Sequence, residues 1–266
     1  MEEHFNLCRA FGFKTMEIGI GGGQIGRLPE KMTEAEIADF RKMGDSYGIT
    51  TPFCCIENDF TLSSPGDHDR MLTSVTRQLR LVAKLGASQA RLFAGFMPLS
   101  ETTEETWRQM LAAFSRCAEV CAEVGITAAI ETHGRITMRE GVAFHESTVT
   151  TDRAALQRLM DSLPGQIGFN FDPGNIKAAA PNDVALCLDI INDRITYCHL
   201  KDWKRQNGGW TAAAPGDDDL DYATLLPKMK YDGIYLIEYE PVNDVQEGIA
   251  RSLAYLRNAL GNIVLE

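Results

Sequence analysis

No stretch of this 266-residue chain approaches the roughly 20 consecutive apolar residues that span a bilayer. The opening MEEHFNLCRAFGFK is charged and lacks the apolar run of a signal peptide. Both absences lead us to expect a cytoplasmic protein with no membrane partner. There is no CxxC pair. Seven cysteines, an odd and scattered number, exclude a disulfide framework and read as reduced thiols. Positive charge is scarce: 26 Lys and Arg stand against 37 Asp and Glu, a net charge of -11. Affinity for phosphate backbones rests on Lys and Arg, so no nucleic-acid partner is expected. No Pro/Gly/Ser-rich linker divides the chain, so residues 1–266 are expected to form one domain.

What is present is alternation. After a helical pattern at about 3–11, short β-like runs take turns with longer amphipathic stretches. The runs are TMEIGI (15–20), TTPFCCIE (50–57), ARLFAGF (90–96), TAAIETH (127–133), IGFNFDPG (167–174), ITYCHLKD (195–202) and GIYLIEYE (233–240). The stretches between and after them are helical at about 33–47, 69–86, 103–124, 152–162, 182–191, 221–229 and 245–260. In the third of these, Trp107, Leu111, Phe114, Ala118 and Cys121 recur every three or four residues, which is one buried face. Strand–helix alternation means parallel strands joined by right-handed crossovers. The expected fold is an α/β barrel of the (β/α)₈ TIM type. Seven strands rather than eight are evident, so its first strand is missing or atypical. An open doubly wound sheet satisfies the same alternation.

The last four runs end in polar residues: IETH, FDPGN, CHLKD and IEYE. In α/β barrels the reactive groups sit at these carboxyl ends. Side chains alternate across a strand. If Glu131 faces the axis, so does His133; Asp172 goes with Asn170, His199 with Lys201, and Glu238 with Leu236 and Glu240. Two Glu, one Asp and one imidazole then meet at similar depth. Three crowded carboxylates repel one another unless one is protonated or a cation lies between them. The mostly oxygen set suits Mn²⁺, Mg²⁺ or Co²⁺, with Zn²⁺ also compatible. Lys201 and Asp202 read as rim groups. The cysteines at 54, 55, 117, 121, 187 and 198 read as small core residues. His4 and His68 read as surface, and Asp217–Asp219 as a solvated turn.

With GITAAIETHG, IGFNFDPGN, ITYCHLKD and YDGIYLIEYEP in that order, the chain resembles the xylose isomerase-like TIM barrels of the sugar phosphate isomerase/epimerase superfamily. The resemblance implies a divalent metal held by Glu131, Asp172, His199 and Glu238, with Glu131 and Glu238 as the catalytic acid/base pair. It also implies a sugar or keto-polyol substrate, and a homo-oligomer. Arg205, six residues past the metal histidine, matches a position that commonly helps bind substrate. Glu17, His133, Asn175 and Lys201 complete the expected substrate-binding set. Asn175 departs from the ketose epimerases, which often carry His three residues after the metal Asp.

The expected reaction is proton transfer beside a carbonyl, giving epimerisation or aldose–ketose isomerisation. The alternative is a metal-dependent dehydratase of a keto-cyclitol or dehydroshikimate type, with His133, Lys201 or His145 as the acid. A non-catalytic sugar-binding barrel is a further option. A phosphodiesterase of the apurinic-endonuclease branch fits less well, because its His-rich three-metal site exceeds what five histidines supply. The segment 133–151 reads as a long βα loop, a candidate substrate clamp through His133, Arg135 and His145. Trp203, Trp210 and Phe60 are candidates to stack on a sugar face.

Overall fold

A computed structural model describes residues 1–24, 26–183, 185–261 and 263–264. The chain opens with α1 (Glu2–Phe11) and then alternates through β1 (Thr15–Ile20), α2 (Glu34–Tyr47), β2 (Thr50–Ile56), α3 (Pro65–Leu85), β3 (Gln89–Leu92), α4 (Glu104–Val124) and β4 (Thr127–Glu131). A hairpin of β5 (Arg135–Arg139) and β6 (Val142–Glu146) leads to α5 (Arg153–Ser162), β7 (Ile167–Phe171), α6 (Pro173–Ala179), α7 (Leu188–Ile191) and β8 (Ile195–Leu200). A second hairpin, β9 (Asp202–Gln206) and β10 (Gly209–Ala213), precedes α8 (Tyr222–Leu225), β11 (Tyr235–Ile237) and α9 (Val245–Leu260).

Local chemistry sets the helix ends. Thr33 and Glu36 form a reciprocal capping box at the start of α2. Thr103 caps α4 by accepting from the Thr106 N–H, and left-handed Gly125 ends it. Pro65 starts α3 four residues earlier than the periodicity suggests. That shift corrects the reading of His68, which lies in the first turn, buried with its ring 6.2 Å from Phe60.

Seven parallel strands form one sheet in the order β1-β2-β3-β4-β7-β8-β11, nearly closed into a barrel. Each new strand joins beside the one before. β1 and β11 stay unpaired to each other, in keeping with a missing first strand. The expected helix at 182–191 is reduced to the single turn of α7; α6 takes up residues that read as the end of the preceding strand. The long βα connection at 133–151 is corrected as well. It carries a hairpin, which the hairpin after β8 joins in a second, antiparallel sheet of order β5-β6-β10-β9.

Two cores follow from the pleat. Outward residues such as Ile130, Phe169, Phe171, Cys198 and Leu200 pack against the helices. Inward residues Phe53, Ala129 and Tyr197 fill the axis, with the Phe53 and Tyr197 rings 4.7 Å apart. Each such large side chain contributes about 1.5–3 kcal/mol of burial. This plug is the floor on which the polar strand ends stand. The cysteines at 54, 55, 117, 121, 187 and 198 are buried free thiols, as expected.

Candidate metal centre

Above the plug, Glu131, Asp172, His199 and Glu238 converge. One ligand atom from each lies within 4.8 Å of the others. That span is slightly wider than the roughly 4.2 Å between opposed oxygens held at about 2.1 Å from one ion, so a small inward movement of the side chains would close them on it. Glu131 is the last residue of β4, inward because Ala129 is inward. His199 follows Tyr197 on β8 in the same way, and Glu238 follows Leu236, whose register partner is His199. Asp172 is fixed by its own sequence, DPGN. It caps α6 by accepting from the Asn175 N–H at 2.9 Å, with Pro173 in the first turn. Gly174 is required there, because a Cβ would sit 2.5 Å from the Lys201 carbonyl oxygen. Thr132 ties β4 to β7: its hydroxyl accepts from the Asp172 N–H at 2.9 Å and donates to the Asp172 carbonyl at 3.2 Å.

The carboxylates are held unequally. Glu131, 1% exposed, takes a hydrogen bond from Asn175 Nδ2 at 3.0 Å on Oε1. Its Oε2 lies 3.0 Å from Arg91 Nε but out of hydrogen-bond alignment, leaving a buried oxygen with no donor among the described residues. Burial pushes this carboxyl up, but the Arg91 guanidinium and the His199 imidazole together outweigh it, so Glu131 sits below its usual range. For Glu238, Lys201 and His199 overcome burial and hold the carboxyl well below. Asp172 goes the other way: burial, then the neighbouring Glu131 and Glu238, push it well above. One carboxylate of three is therefore driven to take a proton, which is the expected behaviour of a cation-free oxygen cluster. The orphaned Glu131 oxygen and the raised Asp172 carboxyl both fit a donor set made for a divalent ion.

His199 offers Nδ1 to the cluster, 3.3 Å from Glu238 Oε2, and turns Nε2 toward Glu17 Oε2 at 3.2 Å. Burial lowers its pKa, but Glu238 and Glu17 reverse this and raise it well above the usual value. Glu17 in turn accepts from the Tyr197 hydroxyl at 2.7 Å. Glu17, expected among the substrate contacts, thus stands behind the imidazole.

A family model described as xylose isomerase-like TIM barrel matches residues 5–259. The chain belongs to this family. Solved structures similar to this xylose isomerase-like barrel include a xylose isomerase domain protein from Planctomyces limnophilus (16% identity, TM-score 0.75, covering 96% of this chain and 91% of that one). A 3-keto-D-glucoside 4-epimerase from E. coli is 16% identical with TM-score 0.72, covering 97% and 94%. A D-psicose 3-epimerase is 15% identical with TM-score 0.73, covering 98% and 94%. Comparison with curated protein sequences yields no match.

Around the barrel's four converging residues, the other expected contacts are spread. Lys201 is buried, its Nζ 3.0 Å from Glu238 and 2.6 Å from Glu240. Asn175 is fully buried and spends its side chain internally. Its Nδ2 donates to Glu131 and to Asp172, both at 3.0 Å, while Oδ1 accepts from Trp203 Nε1 at 3.1 Å. His133 is half-buried, in edge contact with Phe93 and Phe96, and its Nδ1 lies 2.5 Å from the Gly134 carbonyl. His145 meets the Trp203 ring edge-on at 4.6 Å, with no hydrogen-bond partner for either ring nitrogen among the described residues. Burial, then the charges of His133 and Lys201, bring it down to about 3, so it is neutral. Arg205 lies on the exposed face of β9, 4.1 Å over Trp210, and joins no contact of the cluster.

The remaining expectations are corrected by packing. Trp203 and Trp210 are buried with Ala143 and Ala178, seating the small sheet on α6, and Phe60 is fully buried. Asp202 is not a rim group: it is buried against Lys177 at 2.6 Å and pushed up to about 6 by burial. Asp218 and Asp219 of the expected solvated turn reach the same ammonium at 2.9 and 3.0 Å. Sequence reasoning passed over Arg91. Its signal is a cation at an inward position of a strand, between outward Ala90 and Leu92, where a buried charge requires a partner.

Proposed function

We propose that the protein is a divalent-metal-dependent isomerase or epimerase of ketoses or keto-polyols, with Glu131 and Glu238 as the acid/base pair. The carrying observation is the convergence of Glu131, Asp172, His199 and Glu238 within 4.8 Å over an apolar floor. The similarity of fold to a 3-keto-glucoside epimerase and a psicose epimerase supports a ketose substrate. Glu131, Asp172, His199 and Glu238 would hold the ion. When bound, it supplies Lewis acidity to a carbonyl and an adjacent hydroxyl. The protein supplies the proton chemistry. One glutamate would remove the proton from the carbon beside the carbonyl and keep it; the other would enter the cycle protonated and deliver its own proton to the opposite face, the two exchanging roles between directions, whereas isomerisation would return the first glutamate's proton to the neighbouring carbon. Both carboxyls sit below their usual range, so either can serve as the base. Asn175 and Arg91 fix Glu131, and Lys201 fixes Glu238. His133 and His145 offer imidazoles to substrate hydroxyls. The dehydratase alternative needs an acid at a leaving hydroxyl. His145 is neutral, and the Lys201 ammonium is engaged by two carboxylates, which favours the epimerase reading.

The test is Glu131→Gln and Glu238→Gln, assayed with manganese against ketoses and keto-cyclitols for deuterium uptake from solvent. Each variant is expected to lose exchange by about 10²–10⁴. Exchange at the unsubstituted rate in both would end the assignment. An enone chromophore would assign the lyase.

A further inference from the structure

Trp203 of β9 stands between the small sheet and the metal cluster, and it reaches the ligands through two other residues. The first is Asn175. Its Nδ2 donates one hydrogen to Glu131 Oε1 and the other to Asp172 Oδ2, both at 3.0 Å, while its Oδ1 accepts from the Trp203 indole N–H at 3.1 Å. Both amide hydrogens and the amide oxygen are thereby engaged. A side-chain amide turned over exchanges oxygen for nitrogen with almost no change of shape. A carboxyl that takes a proton can donate as well as accept, so the two acids alone do not decide which way the amide lies. An indole N–H can only donate. It selects the orientation in which Asn175 presents its hydrogens to the ligands.

The second is Lys201. Its ammonium lies 5.5 Å over the Trp203 ring and 3.0 Å from Glu238 Oε2. The negative face of the ring attracts a cation at that place. Glu131, Asp172 and Glu238 are therefore each one residue removed from a single indole. The indole itself is held still. The Trp203 backbone N–H donates to buried Asp202 at 2.8 Å, the ring packs with Ala143, Ala178 and Trp210, and His145 meets it edge-on at 4.6 Å. A phenylalanine would satisfy this packing but would bring no donor to Asn175.

We infer that Trp203 is a positioning residue of the metal centre. Its N–H locks the Asn175 amide with both hydrogens on Glu131 and Asp172, and its ring face seats the Lys201 ammonium beside Glu238. The inference rests on the metal cluster of the proposed function and gives Trp203 no contact with ion or substrate. It adds a task to the small sheet: the β9–β10 hairpin carries the residue that sets the ligands before an ion arrives.

The test reads manganese affinity by calorimetric titration, with no substrate present. Trp203→Phe keeps a ring face for Lys201 and drops the donor, and it should weaken binding by about tenfold. Asn175→Leu removes the amide and should weaken binding by about 10–100-fold. Adding Trp203→Phe to Asn175→Leu should cost less than about threefold more, because the donor then has nothing to orient. Trp210→Phe is the same change in the same apolar cluster without the relay, and it should leave affinity within about twofold. The unsubstituted protein gives an independent reading. With its indole nitrogens isotopically labelled, the Trp203 N–H resonance should move more than those of Trp107 and Trp210 when diamagnetic magnesium fills the site. A loss below about threefold in Trp203→Phe overturns the inference, as does an equal loss in Trp210→Phe. So does an undiminished further loss in the Asn175→Leu background, or a Trp203 resonance that magnesium leaves in place. Failure of the unsubstituted protein to bind manganese is a different result, which removes the metal reading and this inference with it.

Discussion

The two glutamates of the cluster stand on unlike walls. Glu131 ends a strand paired on both sides, is 1% exposed, and is braced by Arg91 and Asn175. Glu238 follows the short β11, whose far edge has no strand partner among the described residues, and its side chain is 27% exposed. Both hairpins of the small sheet rise from the closed wall, after β4 and after β8, so that side also carries a roof. The difference teaches that a barrel fixes a carboxylate by its neighbouring strands before any ligand does. On the closed wall the protein supplies the counter-charge from beneath. On the open wall Lys201 and His199 supply it from the adjacent strand.

The largest effect should come from breaking the closed wall. Arg91→Leu removes the cation beside a fully buried carboxylate and is expected to cost about 3–5 kcal/mol, because it leaves Glu131 charged and unpartnered or forces it to take a proton. Thermal unfolding measures this, and added manganese should return part of the loss by mass action. An unchanged Tm would mean that Glu131 is not held by Arg91, and the contrast between the walls would collapse.

An intermediate effect belongs to the open wall. Glu17 accepts from the His199 imidazole on the side away from the cluster. Partners of this kind usually govern metal affinity by about 10–100-fold, and Glu17→Gln should weaken manganese binding by that amount. The pH dependence has a definite sign. Glu17 helps raise the His199 pKa well above its usual value, so the unsubstituted protein must shed that proton before Nδ1 can bind an ion. Removing Glu17 eases deprotonation. The deficit should therefore be greatest at high pH and shrink as pH falls. Calorimetric titration across pH checks both points, and a pH-independent deficit would detach Glu17 from His199.

Much of this contrast could be read in the chain itself. The ends of β4, β7, β8 and β11 were legible because period-two alternation ties Glu131 to Ala129 and His199 to Tyr197, and apolar runs announce parallel strands. The seven-strand count was legible for the same reason. The hairpins were not. RITMR alternates over only five residues and VAFHE does not alternate; they pair with each other, and β6 joins the second sheet only through Trp210 of β10, far along the chain from its partner Ala143. Neither was the inward use of Asn175 legible, since one residue type serves a substrate or two carboxylates equally well until the distances are known. Arg91 carried the clearest overlooked signal, because a lone cation within ARLF is costly to bury unless a carboxylate meets it.

Arg205→Ala should have the smallest effect, and it sharpens the comparison most finely. The guanidinium is exposed and lies over Trp210, an arrangement worth about 0.5–1 kcal/mol at exposed sites. On the observed geometry its loss should loosen the small sheet slightly and leave manganese affinity unchanged. Its position six residues past His199 nevertheless suits a substrate contact. The separation of KM from kcat decides between these roles. A KM within a factor of about two of the unsubstituted value, with a small drop in Tm, makes the roof a packing element of the closed wall. A large rise in KM at constant stability would mean that β9 bends over the cluster when substrate binds, and the closed wall would then be the one that moves.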